Sequence, residues 1–230
     1  MAVRTSPAGG QALPGWVRAR AGAAPGTVHL TVVDPGAVTA DAAQRCCALL
    51  RDSGYRHAVT NAMGPVDAGV FLAAGFSVRE SLDLFGRDLA ALPVVPGRTR
   101  RSRRLAAIAA LDRAAFGARA LDEPALRDAL DATPNARLRV CGAPAHPLGY
   151  AITGVAGWRA YVQRLGIHPD ARRRGLARVL LIDGLHWAKR RGARTVVVNT
   201  HPENVGARAL YESAGFVALP DGLVVLERAL

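Results

Sequence analysis

The stretch Arg172-Arg173-Arg174-Gly175-Leu176-Ala177 decides how this chain is read. Before it, Tyr161-Val162-Gln163-Arg164-Leu165-Gly166-Ile167 reads as a strand that ends at His168-Pro169-Asp170. After it, Leu176, Val179, Leu180, Leu185 and Trp187 form an apolar stripe at helical spacing. The six residues are therefore a strand-to-helix turn. Such a turn aims unpaired backbone N–H groups, and the positive end of a helix, at one point. Phosphate is the usual occupant. Gly175 lets the backbone approach an anion without a Cβ in the way, and Ala177 is the next smallest choice. Arg172, Arg173, Arg174 and Arg178 add charge around it. There is no Walker A loop and no Gly-x-Gly-x-x-Gly string.

Further on, Arg194-Thr195-Val196-Val197-Val198-Asn199-Thr200 is a β-branched run that reads as a buried strand. It leads to Asn204-x-x-Ala207-x-x-Leu210-Tyr211-x-x-x-Gly215-Phe216. Taken in order, Arg172-x-x-Gly175-x-Ala177 and this second string resemble the two hallmark motifs of the GCN5-related N-acetyltransferases, the GNAT superfamily. The resemblance covers roughly the second half of the chain. It implies an α/β (α+β) fold: a mixed, mostly antiparallel central sheet flanked by helices and splayed at the cofactor site. It also implies acetyl-CoA as cofactor, no metal, and transfer of the acetyl group to a primary amine by direct attack in a ternary complex. A catalytically inactive CoA-binding or structural module of the same fold is the alternative.

Residue roles follow from that resemblance. The amides of Arg172, Arg173, Arg174, Gly175, Leu176, Ala177 and Arg178 are expected to hold the CoA pyrophosphate. Leu165 and Ile167 offer strand-edge backbone to the pantetheine amides. Gly166 between them suits a bulge or a close backbone approach, and a free N–H at a bulge would polarise the thioester carbonyl. Asn204 is either the cap of the following helix or a cofactor contact. Tyr211 is the expected general acid for the departing thiolate, since an ordinary phenol pKa near 10 suits that task. Many members carry a Glu on the strand before the turn, where this chain has Gln163 and Arg164. His168, Asp112, Glu123 and ordered water all stay open as routes for deprotonating the amine, so no base is assigned.

Composition bounds the rest. No run of about eighteen apolar residues exists to span a membrane, and Met1-Ala2-Val3-Arg4-Thr5-Ser6-Pro7 lacks the apolar core of a signal peptide. The three cysteines, Cys46, Cys47 and Cys141, have no metal-binding spacing, and so sparse a set suits a reducing cytoplasm. The formal net charge of +12 suggests an anionic partner. Because Lys189 is the only lysine in an Ala-, Gly- and Pro-rich chain, the excess follows coding bias. No aromatic-plus-basic string supports nucleic-acid binding. The expected partner is a small-molecule or peptide amine, bound by a monomer or homodimer.

Read in order, the first half mirrors the second. Strand, Asp34-Pro35, helix, Gly54, strand, helix and Gly75-Phe76 parallel strand, Pro169-Asp170, helix, Gly192, strand, helix and Gly215-Phe216. Residues 1–97 are expected to be a shortened, degenerate copy with its linker, and residues 98–230 the catalytic domain. Counting from each Gly-Phe, Phe71 falls where Tyr211 falls. Counting from each Pro, Val38 and Asp41 fall where Arg172 and Gly175 fall. Pro93 to Arg104 reads as a solvated, arginine-rich hinge, and residues 80–92 give only mixed strand and helix signals.

Overall fold

The computed structural model describes residues 12–22 and 24–230. Of residues 1–25, expected to be a loose start with room for an edge strand at residues 16–20, residues 1–11 and 23 lie outside the described residues, and Val17–Ala21 form an edge strand. Two compact units form: residues up to Asp83 together with Pro220–Leu230, and Leu84–Leu219. Residues 84–97, grouped with the first half in the sequence reading, belong to the second unit, and the C-terminal strand belongs mostly to the first.

The elements run β1 (Val17–Ala21), β2 (Thr27–Val32), α1 (Ala40–Asp52), β3 (His57–Thr60), α2 (Pro65–Ala73), β4 (Ser77–Asp88) and β5 (Arg100–Arg101). Then come α3 (Leu105–Phe116), α4 (Glu123–Asp131), β6 (Asn135–Ala143), β7 (His146–Ala156), β8 (Arg159–Ile167), α5 (Leu176–Arg190), β9 (Thr195–Thr200), α6 (Val205–Ser213) and β10 (Val217–Ala229). Single 3-10 turns precede α1 at Pro35–Ala37 and α5 at Pro169–Ala171. Strands β4 and β10 each have residues in both units.

In the first unit β1 and β2 are antiparallel, β2 and β3 parallel, and β3 and β10 antiparallel. Val28, Leu30 and Val32 alternate inward along β2, and Ala43, Cys46, Cys47 and Leu50 meet them from one face of α1. Burial pushes the Cys46 thiol up to about 12, so it is held protonated and inert. Phe71 closes this core edge-on to Trp16 and Phe76, with ring centroids 6.2 and 5.3 Å away.

In the second unit β6, β7 and β8 form an antiparallel run, β8 and β9 are parallel, and β4 lies next to β9. β7 is buried from Tyr150 through Val155 because α5 packs on one face and α3 and α4 on the other, which explains its nearly continuous apolar run. α5 comes within van der Waals reach of the sheet at Gly184, where a Cβ would collide with Thr153.

A buried polar network ties α3 to β8. Asp112, 0% exposed, accepts from Arg164 Nε at 3.0 Å, Arg164 Nη2 at 2.9 Å and the Leu121 N–H at 2.5 Å. The Tyr150 hydroxyl donates to the same carboxylate. Burial, and then the adjacent Asp112 charge, push the Tyr150 phenol far above its usual range. Arg164 also donates to the Arg119 carbonyl at 2.8 Å and stacks 3.7 Å over the Phe116 ring.

Two expectations change. Pro93 to Arg104 is held rather than a free hinge. Arg100 and Arg101 pair with β6, Thr99 donates to Asp183 at 2.8 Å, and the Pro93 carbonyl meets the His186 ring at 2.8 Å. Of residues 80–92, with their mixed signals, 80–88 lie in the twelve-residue strand β4 and 89–92 follow it. The start of β4 agrees with the strand expected from Phe76 onward, and it is also tied to residues far along the chain, as in the Arg79–Glu227 ion pair.

Removing one partner of a buried, hydrogen-bonded pair strands the other charge. Asp112→Ala should therefore lower stability by about 3–5 kcal/mol. Adding Arg164→Met to that variant should recover a large part of the loss. Urea unfolding of the three proteins checks both, and an Asp112→Ala midpoint equal to wild type would contradict the assignment.

Candidate functional site

The second unit's strand-turn-helix is built for an anion. β8 ends at Ile167, a 3-10 turn follows, and the loop reaches α5 through two left-handed residues, Arg173 at φ +61° and Gly175 at φ +74°. Gly175 is the N-cap of α5 and has no side chain to spend on the helix. The first amide of α5 with a helical partner is Val179, bonded to the Gly175 carbonyl. The N–H groups of Leu176, Ala177 and Arg178 thus point out of the helix start without a cap. The arginines brace this loop. Arg172 donates to the Ala115 carbonyl at 3.1 Å, Arg174 to the Asp170 carbonyl at 2.8 Å, and Arg178 to the Ser213 carbonyl at 3.2 Å. Arg173 is exposed.

Upstream, the sheet opens. β8 pairs with β9 only from Arg159↔Thr195 to Tyr161↔Val197. Beyond Tyr161 the β8 backbone stays paired with β7, from Arg164↔Ile152 to Ile167↔Gly149, while no β9 residue pairs with it. Leu165, Gly166 and Ile167 therefore carry a strand edge with no ladder on the β9 side. The bulge is not at Gly166. The register shifts between Ile152↔Arg164 and Thr153↔Val162, so Gln163 is the extra residue. Gly166 meets the close approach that the sequence also allowed: a Cβ there would come within 2.9 Å of both the Phe116 and Tyr150 rings.

The bulge resets the alternation of β8. Val162, Leu165 and Ile167 join the apolar clusters of α5. Gln163, Arg164 and Gly166 face the α3 and α4 side, where Arg164 meets Asp112 and Gly166 meets Phe116. The adjacent polar pair Gln163-Arg164 inside an apolar strand was the available signal for it.

Tyr211 lies in α6 and is 5% exposed, its ring 5.8 Å from Phe85 and 5.7 Å from Phe216. Burial alone pushes its phenol up to about 12, so it keeps its proton at neutral pH. Asn204 caps α6, its side chain accepting the Ala207 N–H at 3.2 Å. Of the base candidates, Asp112 is fully engaged, and Glu123 is an exposed residue in the first turn of α4. His168 accepts the Asp170 N–H at 3.4 Å as the cap of its 3-10 turn. An apolar depression of about 440 Å³ beside the turn is lined by Ala107, Leu111, Leu148, His168 and Arg174, and Tyr211 and Gln163 are not part of it.

The first unit carries the same order of elements with every opening closed. β2 and β3 pair to the end of β3, at Leu30↔Thr60. Asn61 extends the seam, its N–H donating to the Leu30 carbonyl and its side-chain oxygen accepting the Val32 N–H, both at 2.8 Å. The turn into α1 is two residues shorter, since only Val38 and Thr39 separate the 3-10 turn from the helix. The residue standing at the Gly175 position is thus Thr39 rather than Asp41. Its hydroxyl accepts the Ala42 N–H at 3.1 Å, consuming a donor that an anion would need. Phe71 takes the place of Tyr211.

Residues 105–216 match the model of the acetyltransferase (GNAT) family. Over 67 residues the chain is 37% identical to the ribosomal protein bS18-alanine N-acetyltransferase of Escherichia coli K12, covering 29% of this chain and 45% of that protein. Over 52 residues it is 42% identical to a mycothiol acetyltransferase of Rhodococcus erythropolis, covering 23% of this chain and 17% of that protein. The aligned stretches thus span less than half of either relative's length. Among solved structures, a tandem GNAT protein from the clavulanic acid biosynthesis pathway shares the fold, with a TM-score of 0.63 and 16% identity over 93% of this chain and 78% of that one.

Proposed function

From a chain whose residues 105–216 belong to the acetyltransferase (GNAT) family, we propose an acetyl-CoA-dependent N-acetyltransferase acting on a primary amine of a small molecule or peptide. The observation that carries the proposal is the combination of a strand pair that parts after Tyr161↔Val197 with an uncapped helix start beyond it. Acetyl-CoA, when bound, supplies the activated acyl group as a thioester. The protein's own residues then have separable tasks. The amides of Leu176, Ala177 and Arg178, with the loop through Arg172, Arg173, Arg174 and Gly175, hold the pyrophosphate. The unladdered edge at Leu165, Gly166 and Ile167 takes the pantetheine amides as an added strand would. Asn204 sets the start of α6 and with it the height of Tyr211. Tyr211 Oη holds a proton for the departing sulfur.

The relatives' names give an alanine of a ribosomal protein in one case and mycothiol in the other, so the acceptor proposed here stays at the class of a primary amine on a small molecule or peptide. The first unit is proposed to be a degenerate copy that binds no CoA. Free, buried cysteines are in keeping with a cytoplasmic setting.

Gly175→Glu should weaken CoA binding at least about 100-fold, close to 2.8 kcal/mol. It places a carboxylate among the anion donors and forces a side chain onto a left-handed backbone. Calorimetric titration with CoA reads it, and wild-type affinity would move the anion site elsewhere. Tyr211→Phe keeps the packing with Phe85 and Phe216. It should lower kcat by about 10²–10⁴-fold in a thiol-release assay with a panel of amines, leaving CoA affinity within a few fold. An unchanged kcat with chemistry rate-limiting would remove Tyr211 from the reaction.

A further inference from the structure

The bulge in β8 leaves one polar atom unexplained. Gln163 Oε1 is buried, and among the described residues no group donates to it. Its neighbours are occupied. Arg164, beside it on the same face, is spent on Asp112, the Arg119 carbonyl and the Phe116 ring. The Thr133 hydroxyl, which lies next to the same glycine as Gln163, donates to the Asn135 carbonyl at 3.0 Å. That glycine is Gly154 of β7. A Cβ on it would come within 2.9 Å of Gln163 Cδ and Oε1, so a glycine is what lets the carboxamide lie across β7.

A carbonyl oxygen withdrawn from water without a donor is costly, and such groups are normally paired. Here the oxygen sits at a telling place. Gln163 is the second residue past Tyr161, the last β8 residue paired with β9, so it stands where the two strands begin to part. It faces α3 and α4, away from the apolar face toward α5. An oxygen that can only accept selects an N–H or O–H donor. Being uncharged, it can hold an amine N–H without taking the proton.

We propose that Gln163 Oε1 accepts an N–H of the acyl-accepting amine and fixes where its nitrogen sits. This rests on the acetyl-transfer reading given above. It makes Gln163 a substrate-positioning group rather than a base, and it makes the α3 and α4 side of β8 the side from which the amine enters.

The test uses the full chain and two substitutions. Gln163→Met removes the oxygen at similar length, and Gln163→Glu keeps an acceptor oxygen. Without ligand, Gln163→Met should melt at the wild-type temperature or a few degrees above it, because it removes an unpaired buried acceptor. With acetyl-CoA and the panel amine that wild type uses best, its KM for the amine should rise about tenfold, with KM for acetyl-CoA within about twofold. Gln163→Glu should bring the amine KM back to within about threefold of wild type. An unchanged amine KM in Gln163→Met would overturn the inference alone. So would a lower melting temperature with both KM values rising together, which marks a structural role. No thiol release by wild type with any panel amine would remove the transfer reading, and this inference with it.

Discussion

The second unit depends on one interruption in its hydrogen bonding. β8 and β9 begin as an ordinary parallel pair and stop pairing after Tyr161↔Val197. Backbone donors and acceptors are normally satisfied, so a strand edge left open in the interior of a sheet is a site kept for another chain of amides. The bulge at Gln163 lies at the start of this opening and turns β8 by one residue. That turn gives Val162, Leu165 and Ile167 to the α5 side while Arg164 reaches Asp112 on α3. Both sides of the open stretch are thereby anchored, and the edge between them is held in place without a ladder.

The first unit shows the same succession of elements without the interruption. Its parallel pair closes to Leu30↔Thr60, and the Asn61 side chain seals the next amide. Thr39 caps α1 where Gly175 leaves α5 uncapped. Each difference favours folding over binding. At an N-cap a threonine is worth only a few tenths of a kcal/mol more than a glycine, so Gly175 leaves its amide donors free at little cost to the helix. Phe71, packed among Trp16 and Phe76, keeps the apolar body of Tyr211 and lacks its proton.

The architecture was legible where local chemistry repeats. The Pro-turn-Gly succession before α5, the β-branched run of β9 and the Gly-Phe after α6 each specify an element through neighbours in sequence, and Pro35 before α1 with Gly75-Phe76 after α2 repeats part of that order. Counting residues from Pro35 misplaced the helix start by two, because the turn itself is shorter and only the Thr39 cap marks its end. Gly166 reads as a bulge or a close backbone approach, and it is the second, set by the rings of Phe116 and Tyr150, while the bulge lies at Gln163. Those rings come from α3 and β7, contacts that strand periodicity does not encode. A strand from Phe76 onward is legible, and only its length is not, because β4 is bonded to residues more than a hundred positions away. The Asp112 network had a visible trace, a carboxylate beside Leu111 in the apolar stripe of α3, but its partner Arg164 lies 52 residues on.

The central claim is that the open β8 edge and the uncapped start of α5 act as one receptor for CoA, and that their counterparts in the first unit do not. Amide hydrogen exchange, with and without saturating CoA, tests this directly. Exchange should slow at Val162 to Ile167 and at Leu176, Ala177 and Arg178, with no change along β2 or at Ala40 to Ala42. Protection at β2 and the start of α1, or none at β8 and α5, would contradict it.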